Sequence, residues 1–162
     1  INKDNSLLNC RLNGLDNLKP DLIIVDLNLD IKRNLSLFKR YKNRKIFIIT
    51  TISNAKKRSY LLKNKVKIIN INSLKDKKDF IILFKILKEY KYNRILVESG
   101  LSFLNELLKN GLIFNLYLFR SSTKLKKFGS NNASNILIKK FKLKEKVKVN
   151  LKKDNLYKIK IK

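Results

Sequence analysis

Three short segments of this chain hold residue types whose chemistry goes beyond packing. In Asp4–Gly14, Arg11 presents a planar fork of donors that matches a phosphate group, and Asp4 can accept hydrogen bonds from sugar hydroxyls. A polar loop with one acid and one arginine has the same composition, so the segment by itself names no ligand. In Glu98-Ser99-Gly100, small residues at a strand-to-helix junction let a backbone approach a ligand, and the helix N-terminus favours a phosphate. Such a junction can equally do no more than turn the chain. Glu98 is an acid at the tip of an apolar run, so it must point to solvent, a partner or a ligand. The third segment, Asp26-Leu27-Asn28-Leu29-Asp30, follows the apolar run Leu22–Val25, and ligands of open α/β sheets lie past such strand ends.

The elements that must position these segments are legible from periodicity. Asp21–Asp26, Lys45–Thr51 and Val66–Ile71 read as buried strands, and Arg94–Glu98 (RILVE) reads as a fourth. Between them, Asn34–Tyr41 and Asn54–Lys65 read as helices. Asp79–Tyr90 places Phe80, Leu83, Phe84 and Leu87 on one helical face, a stripe whose ordinary meaning is core packing. Gly100 precedes a helix over Leu101–Asn110, and Gly111 sits where a glycine closes a helix. Phe114–Arg120 alternates as a strand, and Val147–Lys152 with Leu156–Ile161 form a terminal antiparallel hairpin. Strand and helix alternate first and strands follow alone. That order predicts one α/β domain, parallel in its first half and antiparallel at its C-terminal end.

Composition narrows the chemistry further. With no His and a single cysteine, Cys10, neither an internal disulfide nor a usual zinc site can be assembled, so no metal site is expected. The lone thiol agrees with a reducing, cytoplasmic setting. No apolar run approaches the roughly 18 to 20 residues that span a bilayer, and no signal peptide opens the chain, so no membrane partner is expected. The formal charge of +27 invites a nucleic-acid reading. The excess is nearly all lysine, though, scattered from Lys3 to Lys162 among abundant Asn and Ile, and it forms no block with interleaved aromatics. A basic surface also suits a phosphorylated cofactor and substrate.

In order and spacing, the three segments resemble the C-terminal reductase domain of the bifunctional riboflavin-biosynthesis deaminase/reductase. That family carries a run like T-V-x-x-D-x-P-x-L-x-x-R, then a Pro and an apolar strand ending in Asp. A V-E-G-G segment, a helix, a Gly-Leu-hydrophobic-Asp/Asn turn and another strand follow. Here the counterparts are Ile1–Arg11, Pro20, Leu22–Asp26, Val97–Gly100, Gly111–Asn115 and Leu116–Phe119. The likeness runs from Ile1 to about Phe128; no single motif is specific, but the ordered set is.

The resemblance implies a dihydrofolate-reductase-like fold, a mixed sheet flanked by helices with a C-terminal antiparallel hairpin. It also implies NADPH-dependent reduction of the ribosyl group of 5-amino-6-(5-phosphoribosylamino)uracil to ribityl. Asp4, Leu27, Gly100, Leu101, Ser102, Phe103 and Leu104 would contact NADPH, and Leu8, Arg11 and Glu98 the substrate. A homodimer and an upstream deaminase domain in the parent chain are further implications. No general acid or base is assigned. The departures are Asp30 where an Arg is usual, Ser99 for the first glycine of the pair, Asn5 for the second acid and Ser6 for the Pro. The opening strand and helix of the family and the Thr before the matched run have no counterpart, so a domain truncated at its N-terminus is expected.

Three other readings compete. A basic nucleic-acid-binding module explains the charge but no motif, and a degenerate oligomerisation scaffold would accommodate the departures. Lys19–Asp30 alone also resembles the phosphoacceptor strand of response-regulator receiver domains, but only 25 residues precede Asp26 and none form an acidic doublet.

Overall fold

Two of the β-branched runs pair as soon as they are placed side by side. In the computed structural model, which describes residues 2, 5–8, 19–39, 44–123, 141–149, 151 and 153–161, β1 (Leu22–Val25) lies parallel to β2 (Ile46–Thr50), with Ile24 opposite Ile48. The short helix α1 (Ser36–Lys39) and then α2 (Ala55–Lys63) provide the crossovers, and β3 (Lys67–Asn70) adds a third parallel strand against β2. The strand order is β1-β2-β3. The middle strand is buried at all five positions, as expected for a parallel strand covered on both faces. Ile46 and Ile48 join Ile24, Leu29, Ile31, Leu35, Leu37, Phe38, Leu61 and Val66 in one apolar cluster. Phe47 and Ile49 point to the opposite face, because side chains alternate along a strand.

The chain divides into two compact units, Ile1–Ile86 and Leu87–Lys162. Helix α3 (Lys77–Glu89) spans that boundary in sequence, with Phe80, Leu83 and Leu87 of its predicted stripe buried and Phe84 half-buried. Its entry is capped by Asp76, whose Oδ1 accepts from the backbone N–H groups of Lys78 and Asp79 at 2.8 and 3.0 Å. The backbone N–H of Lys75 and then the hydroxyl of Ser73 hold the Asp79 carboxyl below its usual range. A folded-state pKa below the unfolded value contributes stability above the unfolded pKa and loses it as pH falls through the depressed one. Asp79→Asn is therefore expected to flatten the acid side of the stability profile below about pH 4, read as urea midpoints across pH.

In the second unit, α4 (Leu101–Lys109) precedes β4 (Asn115–Arg120), and β5 (Glu145–Val147) and β6 (Asn155–Lys160) complete an antiparallel sheet of order β4-β6-β5. Parallel strands first and antiparallel strands last is the predicted order of a mixed α/β fold. Two details differ from the sequence reading. The hairpin's first strand covers Glu145–Val147 instead of Val147–Lys152, because the N–H of Val149 turns back to the carbonyl of Val147 at 3.0 Å and takes the chain off the ladder. The run Arg94–Glu98 is not a strand. Its apolar residues fit a pleat, but a strand exists only through a ladder. Among the described residues none pairs with it, and Leu96 is 78% exposed. No helix of the described residues is long and apolar enough to cross a membrane.

Helices α2, α3 and α4 close in one way. The residue after each C-cap is left-handed: Lys65 (φ 56°), Lys91 (φ 71°) and Gly111 (φ 64°). The next N–H in each case reaches back five residues, Val66 to Leu61, Tyr92 to Leu87 and Leu112 to Leu107. Only the third has the glycine that accepts this backbone without steric penalty. Lys65→Gly and Lys91→Gly are each expected to raise stability by about 0.5–1 kcal/mol, the left-handed penalty less glycine's greater unfolded-state freedom, measured by thermal melting.

Candidate functional site

The turn after β1 is built around Asp26. Its Oδ1 accepts the N–H of Asp30 at 2.9 Å and its Oδ2 the N–H of Ile31 at 2.7 Å, so the acid that ends the strand closes a loop. Inside the loop, the carbonyl of Leu27 accepts from the hydroxyls of Thr50 and Thr51, both at 2.9 Å, and from the N–H of Thr51 at 3.1 Å. Leu29 is left-handed (φ 56°) and buried, and the Lys57 ammonium donates to its carbonyl. Leu27, a predicted cofactor residue, thus sits half-buried on a loop tied to the carboxyl end of β2. Asp30, which stands where an Arg is usual, uses its backbone in this turn and is exposed.

The N-terminal segment is strapped to the same region by asparagine side chains. Asn2 donates to the carbonyl of Asp30 at 3.1 Å and accepts the N–H of Lys32 at 3.0 Å. Asn5 donates to the hydroxyl of Ser36 at 2.9 Å and accepts its N–H at 2.7 Å. Leu8, a predicted substrate residue, is half-buried with φ 49°. The guanidinium of Arg44 donates from Nη1 to the carbonyl of Leu8 at 2.8 Å and from Nη2 to that of Leu7 at 2.7 Å. Burial pulls the Arg44 pKa down, and the neighbouring Asp21 carboxylate opposes that shift. Asp4 and Arg11, the predicted cofactor and phosphate contacts, lie outside the described residues.

In the second unit, Glu98, Gly100, Leu101, Ser102, Phe103 and Leu104 are gathered at the entry to α4. Glu98 is exposed on irregular chain, not on a strand tip. Gly100 is the N-cap, with φ −66° and ψ 163°, and its carbonyl accepts the N–H of Leu104 at 3.2 Å. No side chain caps this end, and a Cβ at Gly100 would meet nothing within 4 Å. The backbone there is one that any residue adopts, so the fold does not require a glycine at this position. First-turn amides lack intrahelical acceptors, so the N-terminus is suited to an anion such as a dinucleotide phosphate. Leu8 and Leu27 belong to the first unit and Glu98–Leu104 to the second.

Sequence reasoning did not single out Arg44. Its one signal is a guanidinium directly before a buried apolar strand in a chain whose basic residues are mostly lysine.

Comparison with known proteins finds a family and a fold. The profile of the family described as the RibD C-terminal domain matches residues 1–154. Among solved structures, a pyrimidine reductase-like protein from Corynebacterium diphtheriae is similar in fold, with a TM-score of 0.64 and 17% sequence identity. The match covers 88% of this chain and 61% of that one, so the chain spans about three-fifths of its structural relative. No curated protein matches.

Proposed function

The chain belongs to the RibD C-terminal domain family, and on that premise we propose that it is an NADPH-dependent reductase of the riboflavin pathway. Its substrate is 5-amino-6-(5-phosphoribosylamino)uracil, whose ribosyl group becomes ribityl. The observation that supports this most directly is the uncapped, side-chain-free entry to α4 at Gly100, whose donors fit a cofactor phosphate. Gly100, Leu101, Ser102, Phe103 and Leu104 hold NADPH there, with Leu27 and Asp4 as further cofactor contacts. When bound, NADPH supplies the hydride; the protein supplies position and charge. Leu8 and Glu98 face the substrate, and Arg11 takes its phosphate. The protein works in the cytoplasm as a homodimer.

The test is oxidation of NADPH by the full-length protein in the presence of the aminouracil, followed by loss of the reduced nicotinamide absorbance. Substrate-dependent oxidation with NADPH preferred over NADH is expected. Oxidation that ignores the aminouracil overturns the reading. Salt-dependent DNA binding without affinity for NADPH would replace it with a nucleic-acid-binding module. Arg11→Ala is expected to raise the substrate KM by about tenfold or more while moving that of NADPH by less than about twofold, since it removes a phosphate clamp from one ligand only.

A further inference from the structure

We propose that Arg44 is a positioning residue for the substrate, holding Leu8 in its left-handed conformation by gripping two successive carbonyls of the N-terminal segment. The inference rests on the substrate role proposed for Leu8. In extended chain, successive carbonyls point to opposite sides, so one guanidinium can receive those of Leu7 and Leu8 only where the backbone turns between them. The turn is visible in the φ of 49° at Leu8. A branched side chain adopts that backbone only where its surroundings dictate it. Asn5, also left-handed at 49°, anchors the near end of the segment on Ser36, and Arg44 anchors the far end.

Arg44 is chemically suited to this. Its Nε is buried without a hydrogen-bond partner among the described residues, so the side chain is held in place by its two terminal nitrogens. A lysine would carry the same charge on one nitrogen and could not span two carbonyls in a fixed geometry. The segment also lies on the turn region after β1, through Asn2 on Asp30 and Lys32, so the conformation of Leu8 is set relative to Leu27's loop. Arg44 thereby orients a substrate contact without itself touching substrate.

The experiment compares full-length wild type with Arg44→Lys, Leu8→Gly and the double variant. Arg44→Lys is expected to raise the substrate KM about tenfold, with kcat and the NADPH KM each within about twofold and faster hydrogen exchange in the peptide spanning residues 5–8. In the Leu8→Gly background, where the backbone adopts the left-handed form unaided, the same change is expected to add less than about threefold. Equal shifts in both KM values, or full additivity in the double variant, overturn the proposal in favour of a general folding role. If the wild type does not turn over the aminouracil, the proposed activity fails on its own account. Exchange at residues 5–8 then decides the positioning role: faster exchange in Arg44→Lys supports it, and unchanged exchange overturns it.

Discussion

Phe47→Ala is expected to destabilise the protein by about 3–5 kcal/mol, the largest effect of any single truncation named here. Phe47 is 0% exposed on the middle strand of the parallel sheet, on the face away from Ile46 and Ile48. Removing its ring forfeits apolar burial and leaves a cavity that a strand paired on both sides cannot collapse to fill. The Lys67 ammonium, 5.7 Å from the ring centroid, loses that ring contact as well. Against a net stability of about 5–15 kcal/mol, such a loss leaves much of the protein unfolded at moderate urea. Leu62→Ala, at a site 56% exposed, serves as the control and is expected to change stability by less than about 0.5 kcal/mol. Urea midpoints decide the matter. A Phe47→Ala loss below about 1 kcal/mol would mean that β2 is not enclosed on both faces.

Gly100→Asp is expected to separate fold from function. Aspartate is a favoured N-cap, the backbone at position 100 accepts any residue, and its Cβ would meet nothing within 4 Å. Melting temperature is therefore expected to hold or rise. The same carboxylate would occupy the amides that a cofactor phosphate needs and set a negative charge against it. NADPH affinity is expected to fall on the order of a hundredfold, the loss of about two charge-assisted hydrogen bonds. Fluorescence titration with NADPH, beside a melting curve, reads both sides. Unchanged affinity would remove the entry of α4 from the cofactor site. A collapsed melting temperature would show instead that glycine is there for the fold.

The parts of the fold that reading the chain recovered are those with local causes. Helix α3 follows from the spacing of Phe80, Leu83 and Leu87, and the end of α4 follows from Gly111. Lys65 and Lys91 close their helices with the same left-handed geometry but without a glycine to announce it. Arg94–Glu98 failed in the opposite direction. Its composition fits a strand, but no ladder forms for it among the described residues. The candidate site divides in the same way. Gly100 and the helix after it were found because a glycine before an amphipathic run is a local signal, and the open space in front of it is what the structure adds. Asp26 looked like a functional acid at a strand end, and its two oxygens prove to be engaged by backbone N–H groups four and five residues on.

By itself, the sequence determined the order of the elements other than Arg94–Glu98, the burial of Ile46–Thr50 and the lack of any histidine for metal or proton chemistry, because composition and periodicity are properties of neighbouring residues, and its ordered motifs carried the family. Only the tertiary structure decided that Arg44 grips Leu7 and Leu8, 37 and 36 residues away, that asparagines strap the N-terminal segment to the β1 turn, and that Arg94–Glu98 finds no ladder among the described residues. Those facts depend on which groups meet after the chain has turned back on itself. A hydrogen bond across such a separation leaves no periodic trace along the residues that make it.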